Sequence, residues 1–179
     1  MSALVTLRTD PSLVDAAQRG DRAAFGKLFA QYAVMVHGIL LARVPPRDVD
    51  DLMQDVFLAA LERLEGLRDA QAFGGWLSMI ARNRVIDFFR TRRETTELDE
   101  DHARADDPAR SEAEQVLAVI RTLPEAYRET LVLRLVEGMS GPEIAAQTGL
   151  TAESVRVNLH RGMKLLRERL GIDQQEGAP

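Results

Sequence analysis

The 179-residue chain has no cysteine. That excludes a disulfide scaffold, a zinc–thiolate site and thiol catalysis, and is neutral about compartment. No apolar run approaches ~20 residues, and the opening MSALVTLRTD lacks the basic-then-apolar layout of a signal peptide. The expectation is a soluble, cytoplasmic chain. Net positive charge is also missing: 23 Lys and Arg stand against 28 Asp and Glu, a net −5, which argues against a protein coating DNA by charge alone. No stretch alternates with period two for long enough to suggest a sheet. His37, His102 and His160 lie in separate segments with no recurring nucleophile–base spacing, and no glycine-rich phosphate loop follows a strand. No enzyme, metal site or cofactor is expected.

What the chain does have is charge arranged in blocks. Residues 71–93 carry Arg82, Arg84, Arg90, Arg92 and Arg93 against Asp87 alone. Residues 94–114 carry nine acids against Arg104 and Arg110, and residues 151–170 are basic again. Helical periodicity covers nearly everything else. Asp10-Pro11 opens a short helix, Asp21 caps a longer one that ends at Pro45-Pro46, and Asp48 starts a third that Gly66 closes. A fourth helix runs from about Ala72 to Arg93. Residues 95–111, acidic and poor in apolar side chains, read as a linker. Helical pattern resumes near Ser111 and breaks at Pro124. The fold class is all-α: a helical domain over 8–94, the acidic linker 95–111, and a second helical domain over 112–171. Such a tether predicts two domains that tumble semi-independently.

Residues 138–170 read as a helix-turn-helix. Pro142 falls in the first turn of a short helix, Gly149 supplies the turn, and Thr151 caps a second helix. At ~100° per residue Val155, Leu159, Met163, Leu166 and Leu170 share an arc of roughly 80°. Ala145 and Ala146 are small enough for the first helix to cross closely over that stripe. Arg156, His160, Arg161 and Lys164 lie on the other side, with Val157 pointing away from the domain, as suits a helix in a major groove.

Two further faces stand out. The third helix carries Asp48, Asp51, Asp55 and Glu62 opposite its apolar stripe, which fits a solvated face, a carboxylate metal site or a dock for a basic protein surface. The fourth helix carries Arg82, Asn83, Arg90 and Arg93 opposite a core face of Phe73, Leu77, Ile80, Ala81, Val85, Phe88 and Phe89. Met79 and Ile86 are exposed among the arginines, with Trp76 at the edge. Arginine to grip phosphate beside apolar groups to stack on bases is what holding an unstacked single strand requires. A packed Trp76 with solvated arginines fits the same pattern.

The chain resembles bacterial sigma-70-type initiation factors of the compact, two-domain extracytoplasmic-function group. DVDDLMQDVFLAALERL (48–64) is similar to their region 2.2, and FGGWLSMIARNRVIDFFRTRR (73–93) to regions 2.3–2.4. Residues 123–170 are similar to region 4. The resemblance implies a non-enzymatic promoter-specificity subunit of RNA polymerase. Asp48, Asp51, Gln54, Asp55 and Phe57 would dock on the clamp helices of core polymerase. The fourth helix with the loop 67–73 before it, through Phe73, Trp76, Arg82, Asn83, Arg90 and Arg93, would melt the −10 element and hold a flipped base. Glu153, Ser154, Arg156, Val157, Asn158, His160, Arg161 and Lys164 would read the −35 element, and the linker would thread near the active-site and RNA-exit channels. An anti-sigma factor covering both domains, and a monomeric state without partners, are implied likewise. The recognition helix departs from the family's usual Gly-Thr-Val-Lys-Ser-Arg-like run at Val157 and Asn158, so the usual −35 sequence does not carry over. The rivals are a stand-alone helix-turn-helix regulator, which predicts a homodimer on a palindrome, and an anti-sigma or adaptor protein, against which the two separate basic faces speak.

Overall fold

The computed structural model describes residues 9–96 and 112–171, and contains eight α-helices and no strand among them. The helices are α1 (Pro11–Gln18), α2 (Arg22–Leu41), α3 (Pro46–Arg63), α4 (Phe73–Thr96), α5 (Glu112–Thr122), α6 (Glu125–Leu135), α7 (Gly141–Thr148) and α8 (Ala152–Leu170). Two short 3₁₀ turns, Leu64–Gly66 and Ala70–Ala72, link α3 to α4. The acidic segment read as a linker lies, from residue 97 to 111, outside the described residues, as does His102.

Caps fix the boundaries. Asp10 and Asp21 accept backbone N–H bonds at the starts of α1 and α2, and Thr151 does so for α8. The third helix begins two residues before the expected Asp48, because Pro46 fits the first helical position, where no N–H is needed. The helix-turn-helix has a start signal that the sequence reading passed over. Ser140 and Glu143 form a reciprocal capping box at the head of α7. Gly149 ends α7 at φ 77°, a left-handed backbone that favours glycine.

By length and composition α2 could cross a membrane, but here it is the central helix. Leu28, Tyr32, Met35, Val36, Ile39 and Leu40 are buried around its circumference, because α1, α3, α4, α6 and α7 all pack against it. A helix apolar all round is what such a position needs. The partners bring Val49, Leu52, Val56 and Phe57 from α3 and Phe73, Leu77, Ala81 and Val85 from α4. In the C-terminal half, α8 crosses α6 where Gly162 faces Leu131 and Tyr127. A Cβ there would sit 3.1 Å from both side chains. Gly162 is the small residue that permits this α6–α8 crossing; at the separate α7–α8 crossing, where Ala145 and Ala146 were expected to face α8, Ala145 packs on the core and Ala146 is exposed.

The two halves pack on one another, contrary to the expectation of independent tumbling. Gly38 of α2 lies under Leu133 of α6. At the head of α4, Gly74 abuts the Gln147 carbonyl and Gly75 faces Gly149, so that α4 and α7 meet backbone to backbone.

Candidate nucleic-acid interface

Helix phase places three of the acidic residues of α3 as expected. Asp51, Asp55 and Glu62 are exposed opposite Val49, Leu52 and Val56, and the uncharged Gln54 is exposed with them. Asp48 is not free in the same way. It is half-buried, with the Arg92 guanidinium of α4 at 3.6 Å and that of Arg47 at 3.7 Å, so it ties α3 to α4. Phe57 is buried, its ring centroid 4.4 Å from that of Phe29, so it lies behind the exposed acidic face and not on it.

The basic helix α4 divides. Asn83, Arg90 and Arg93 are exposed, with Met79 (53% exposed) and Ile86 (63%) between them. Val85, Ile86, Phe89, Arg90 and Arg93 line one shallow groove, where apolar and cationic groups alternate as base stacking beside phosphate requires. Phe89, placed by periodicity in the core, is exposed because it sits one step beyond the stripe. Arg90 holds an exposed pair to Asp87 at 2.9 Å, the kind of contact that contributes little and yields to a better partner. Two members of the expected DNA-binding set, Phe73 and Arg82, are corrected. Phe73 is fully buried, its ring between Tyr32 and Trp76, so it has no surface to offer a base. Trp76 is half-buried on Phe73 at 5.7 Å. Arg82 faces the C-terminal half rather than solvent, bonded to Glu129.

Glu129 is the residue that sequence reasoning missed. It lies on the buried side of α6, one turn before Leu133, and accepts from Arg82 Nε at 3.0 Å and Nη2 at 2.7 Å, and from Arg43 Nη2 at 2.8 Å. Burial pushes its carboxyl up, but the hydrogen bonds and positive charges of Arg82 and Arg43 outweigh that and hold it below the usual glutamate value. A second pair joins His37 Nδ1 to Glu137 at 2.6 Å. The available signal was an acid in phase with a buried leucine, beside an unexplained Gly-Gly at the head of α4.

On α8, Glu153, Ser154, Arg156, His160, Arg161 and Lys164 are exposed. Val157 and Asn158 are half-buried, so Val157 does not point straight out as the helical wheel placed it. Leu159, His160, Met163, Lys164 and Arg167 line a shallow groove along the same helix.

Comparison with known proteins decides the family. Residues 28–95 match the family described as sigma-70 region 2, and residues 113–166 match sigma-70 region 4. The RNA polymerase sigma factor CnrH of Cupriavidus metallidurans is 31% identical across 93% of this chain and 97% of its own length. The chain belongs to the sigma-70 family, as a sigma factor of the extracytoplasmic-function group. The ECF RNA polymerase sigma-E factor of Haemophilus influenzae, 31% identical over 90% of this chain and 95% of its own, agrees. The sigma factor also shares its fold with solved CnrH in complex with the cytosolic domain of CnrY, at TM-score 0.62 and 29% identity over 92% of this chain and 99% of that one. The sigma factor RpoE of Bartonella quintana, solved with the anti-sigma factor NepR, shows the same fold at TM-score 0.56 and 22% identity, over 83% of this chain and 98% of that one. The protein is thus a promoter-specificity subunit that acts with RNA polymerase in transcription initiation. A stand-alone regulator does not account for matches to both regions.

Proposed function

We propose that this sigma factor docks on a basic surface of core polymerase through the open face of α3, Asp51, Gln54 and Asp55. In this reading the exposed side of α4, centred on Asn83, Arg90 and Arg93, holds the melted −10 strand, and α8 reads the −35 element through Arg156, His160, Arg161 and Lys164. The observation that carries the reading furthest is the sidedness of α3. Asp51 and Asp55 stand in solvent where phosphate would repel them, while the open faces of α4 and α8 each present exposed arginines. The protein contributes recognition, and the polymerase contributes the catalysis. It works where the polymerase is, in the cytoplasm. CnrH and RpoE were each solved with a protein partner, which supports an anti-sigma factor for this chain as well.

Asp55→Arg tests the docking face. Placing a like charge against a basic clamp should weaken association with core polymerase by at least about tenfold, while circular dichroism and thermal melting stay those of the wild type. Size exclusion with purified core, followed by run-off transcription, reads the result. Wild-type binding by Asp55→Arg would remove α3 from the interface.

A further inference from the structure

With no cysteine in the chain, its sulfur chemistry rests on methionine alone. Among the described residues, all methionines but one are shielded. Met35 is fully buried, its sulfur accepting from the Ser78 hydroxyl at 3.4 Å. Met139 is buried in the core, and Met53 and Met163 are half-buried against it. Met79 is 53% exposed. Its chain neighbours Ser78 and Ile80 are both buried, so α4 is seated on either side of it and holds the thioether out in solvent. An oxidant reaches that sulfur without any local unfolding. Met79 also stands where a change of polarity matters. At ~100° per residue it falls within about 20° of Ile86 and about 40° of Asn83 on the open side of α4. Trp76, the single tryptophan of the chain, lies half-buried one turn before it. On a face that grips a single strand, the apolar groups are the ones that stack on bases. A thioether is soft and apolar, whereas its sulfoxide is polar and chiral.

We infer that Met79 is an oxidation site on the DNA-holding face of α4, through which peroxide turns promoter opening down. The inference rests on the reading of α4 as the helix that holds the melted −10 strand. The step is a two-electron oxygen transfer. The Met79 sulfur attacks one peroxide oxygen, an S–O bond forms as the O–O bond breaks, and the sulfur is oxidised while the peroxide is reduced. The departing hydroxide takes the proton of the transferred hydroxyl and leaves as water. Methionine sulfoxide reductases reverse the change, so the site can cycle. Asp51, Gln54 and Asp55 lie on α3, away from the modified sulfur, so the oxidised protein still docks on core polymerase. It then occupies the enzyme without opening its promoters.

The test treats the full-length protein with hydrogen peroxide, removes the peroxide, and maps the oxidised methionines by peptide mass. Met79 should gain one oxygen before Met53 and Met163 do. Holoenzyme is then assembled with untreated core polymerase. Oxidised wild type should join core in size exclusion as the untreated protein does. Its −10 region should nevertheless open about fivefold less by permanganate reactivity, the low end of what losing one stacking contact costs. Methionine sulfoxide reductase should restore opening. Met79→Leu, compared with itself before and after peroxide, should lose the response. Met79→Gln, polar from the start, should show the loss with no peroxide at all. The inference is overturned if Met79 is oxidised no faster than the half-buried methionines, if oxidised wild type opens promoters fully, or if Met79→Leu responds to peroxide as wild type does. Untreated Arg90→Ala tests the reading underneath. Full opening by that variant removes the DNA role of α4 and the inference with it. Impaired opening by Arg90→Ala beside full opening by oxidised wild type overturns the inference alone.

Discussion

The two halves of the molecule are each four helices, but they hold themselves together differently. The N-terminal half surrounds α2, whose buried residues meet apolar partners on several sides. In the C-terminal half Leu131, Val132 and Leu133 of α6 are all buried, and the last of these is covered by α2 at Gly38. The first half thus carries its own core, whereas the second uses the first as a lid. In the proposed reading, recognition of duplex DNA falls to the half that depends on a neighbour, and that dependence would make its position adjustable.

Truncating the core should expose the asymmetry most strongly. Phe73→Ala removes a fully buried ring at the centre of the first half, and should cost about 3–5 kcal/mol in denaturant unfolding. Leu133→Ala lies at the seam, where the halves can part instead of enclosing a cavity, and should cost about 2 kcal/mol. Equal losses would mean that the seam is as obligatory as the core. Unchanged stability in Phe73→Ala would return that ring to the DNA surface.

A smaller effect should come from adding single methyl groups. Gly74→Ala drives a Cβ into the Gln147 backbone, and should either separate the halves or cost about 1–3 kcal/mol. Gly75→Ala meets Gly149 only at 3.5 Å, an ordinary contact, and should be nearly neutral. Gly26→Ala, an exposed position within α2 with open space around it, should stabilise by about 0.5–1 kcal/mol through helix propensity. Calorimetry on the three separates strain at the seam from propensity.

Acid should loosen the seam before it unfolds the core. The Glu129 carboxyl titrates below its unfolded value, so its contribution is complete above about pH 4.3 and is lost as pH falls through the lowered folded value. Distances between labels on the two halves should lengthen in that window for the wild type. In Glu129→Gln they should already be long at neutral pH and show no such step. A wild-type seam that stays closed until global unfolding would contradict this.

The smallest effect concerns base readout. Val157 is half-buried, but the methyl groups that remain outward can pack on a thymine C5-methyl. Val157→Ser should weaken recognition by ~1 kcal/mol at one T·A position of the −35 element. Lys164→Ala should weaken all promoters alike and flatten the salt slope by about one unit. A promoter library in which Val157→Ser lowers every variant equally would remove the methyl contact.

Helix number, order and approximate ends were legible because caps and prolines are local, as Asp10, Asp21, Pro124 and Thr151 demonstrate. The exposed faces of α3 and α8 were legible because amphipathic phase is also local. The seam was not. A helical wheel assigns Arg82 to the side away from its own helix's core, and cannot know that another domain covers that side with a carboxylate. Phe57 and Phe73 were overassigned for a related reason: a motif position marks where a family keeps an aromatic ring, not whether the ring touches a partner or props up its neighbours. Val157 looked outward because a wheel has no account of how much of a helix its own domain wraps.

The missing Cβ at Gly162 has a mechanical consequence. With α8 pressed against Leu131 and Tyr127 at that point, α6 and α8 have little room to slide past one another, so a tilt of one would carry the other with it. The end of α8 proposed to read DNA, at Ser154, lies eight residues away, about 12 Å at 1.5 Å per residue. A tilt of about 10° at the fulcrum would sweep that end through about 2 Å, enough to exchange one base-edge contact for another. Because Glu129 rides on the same lever, any movement that draws it away from Arg43 and Arg82 would also shift Ser154.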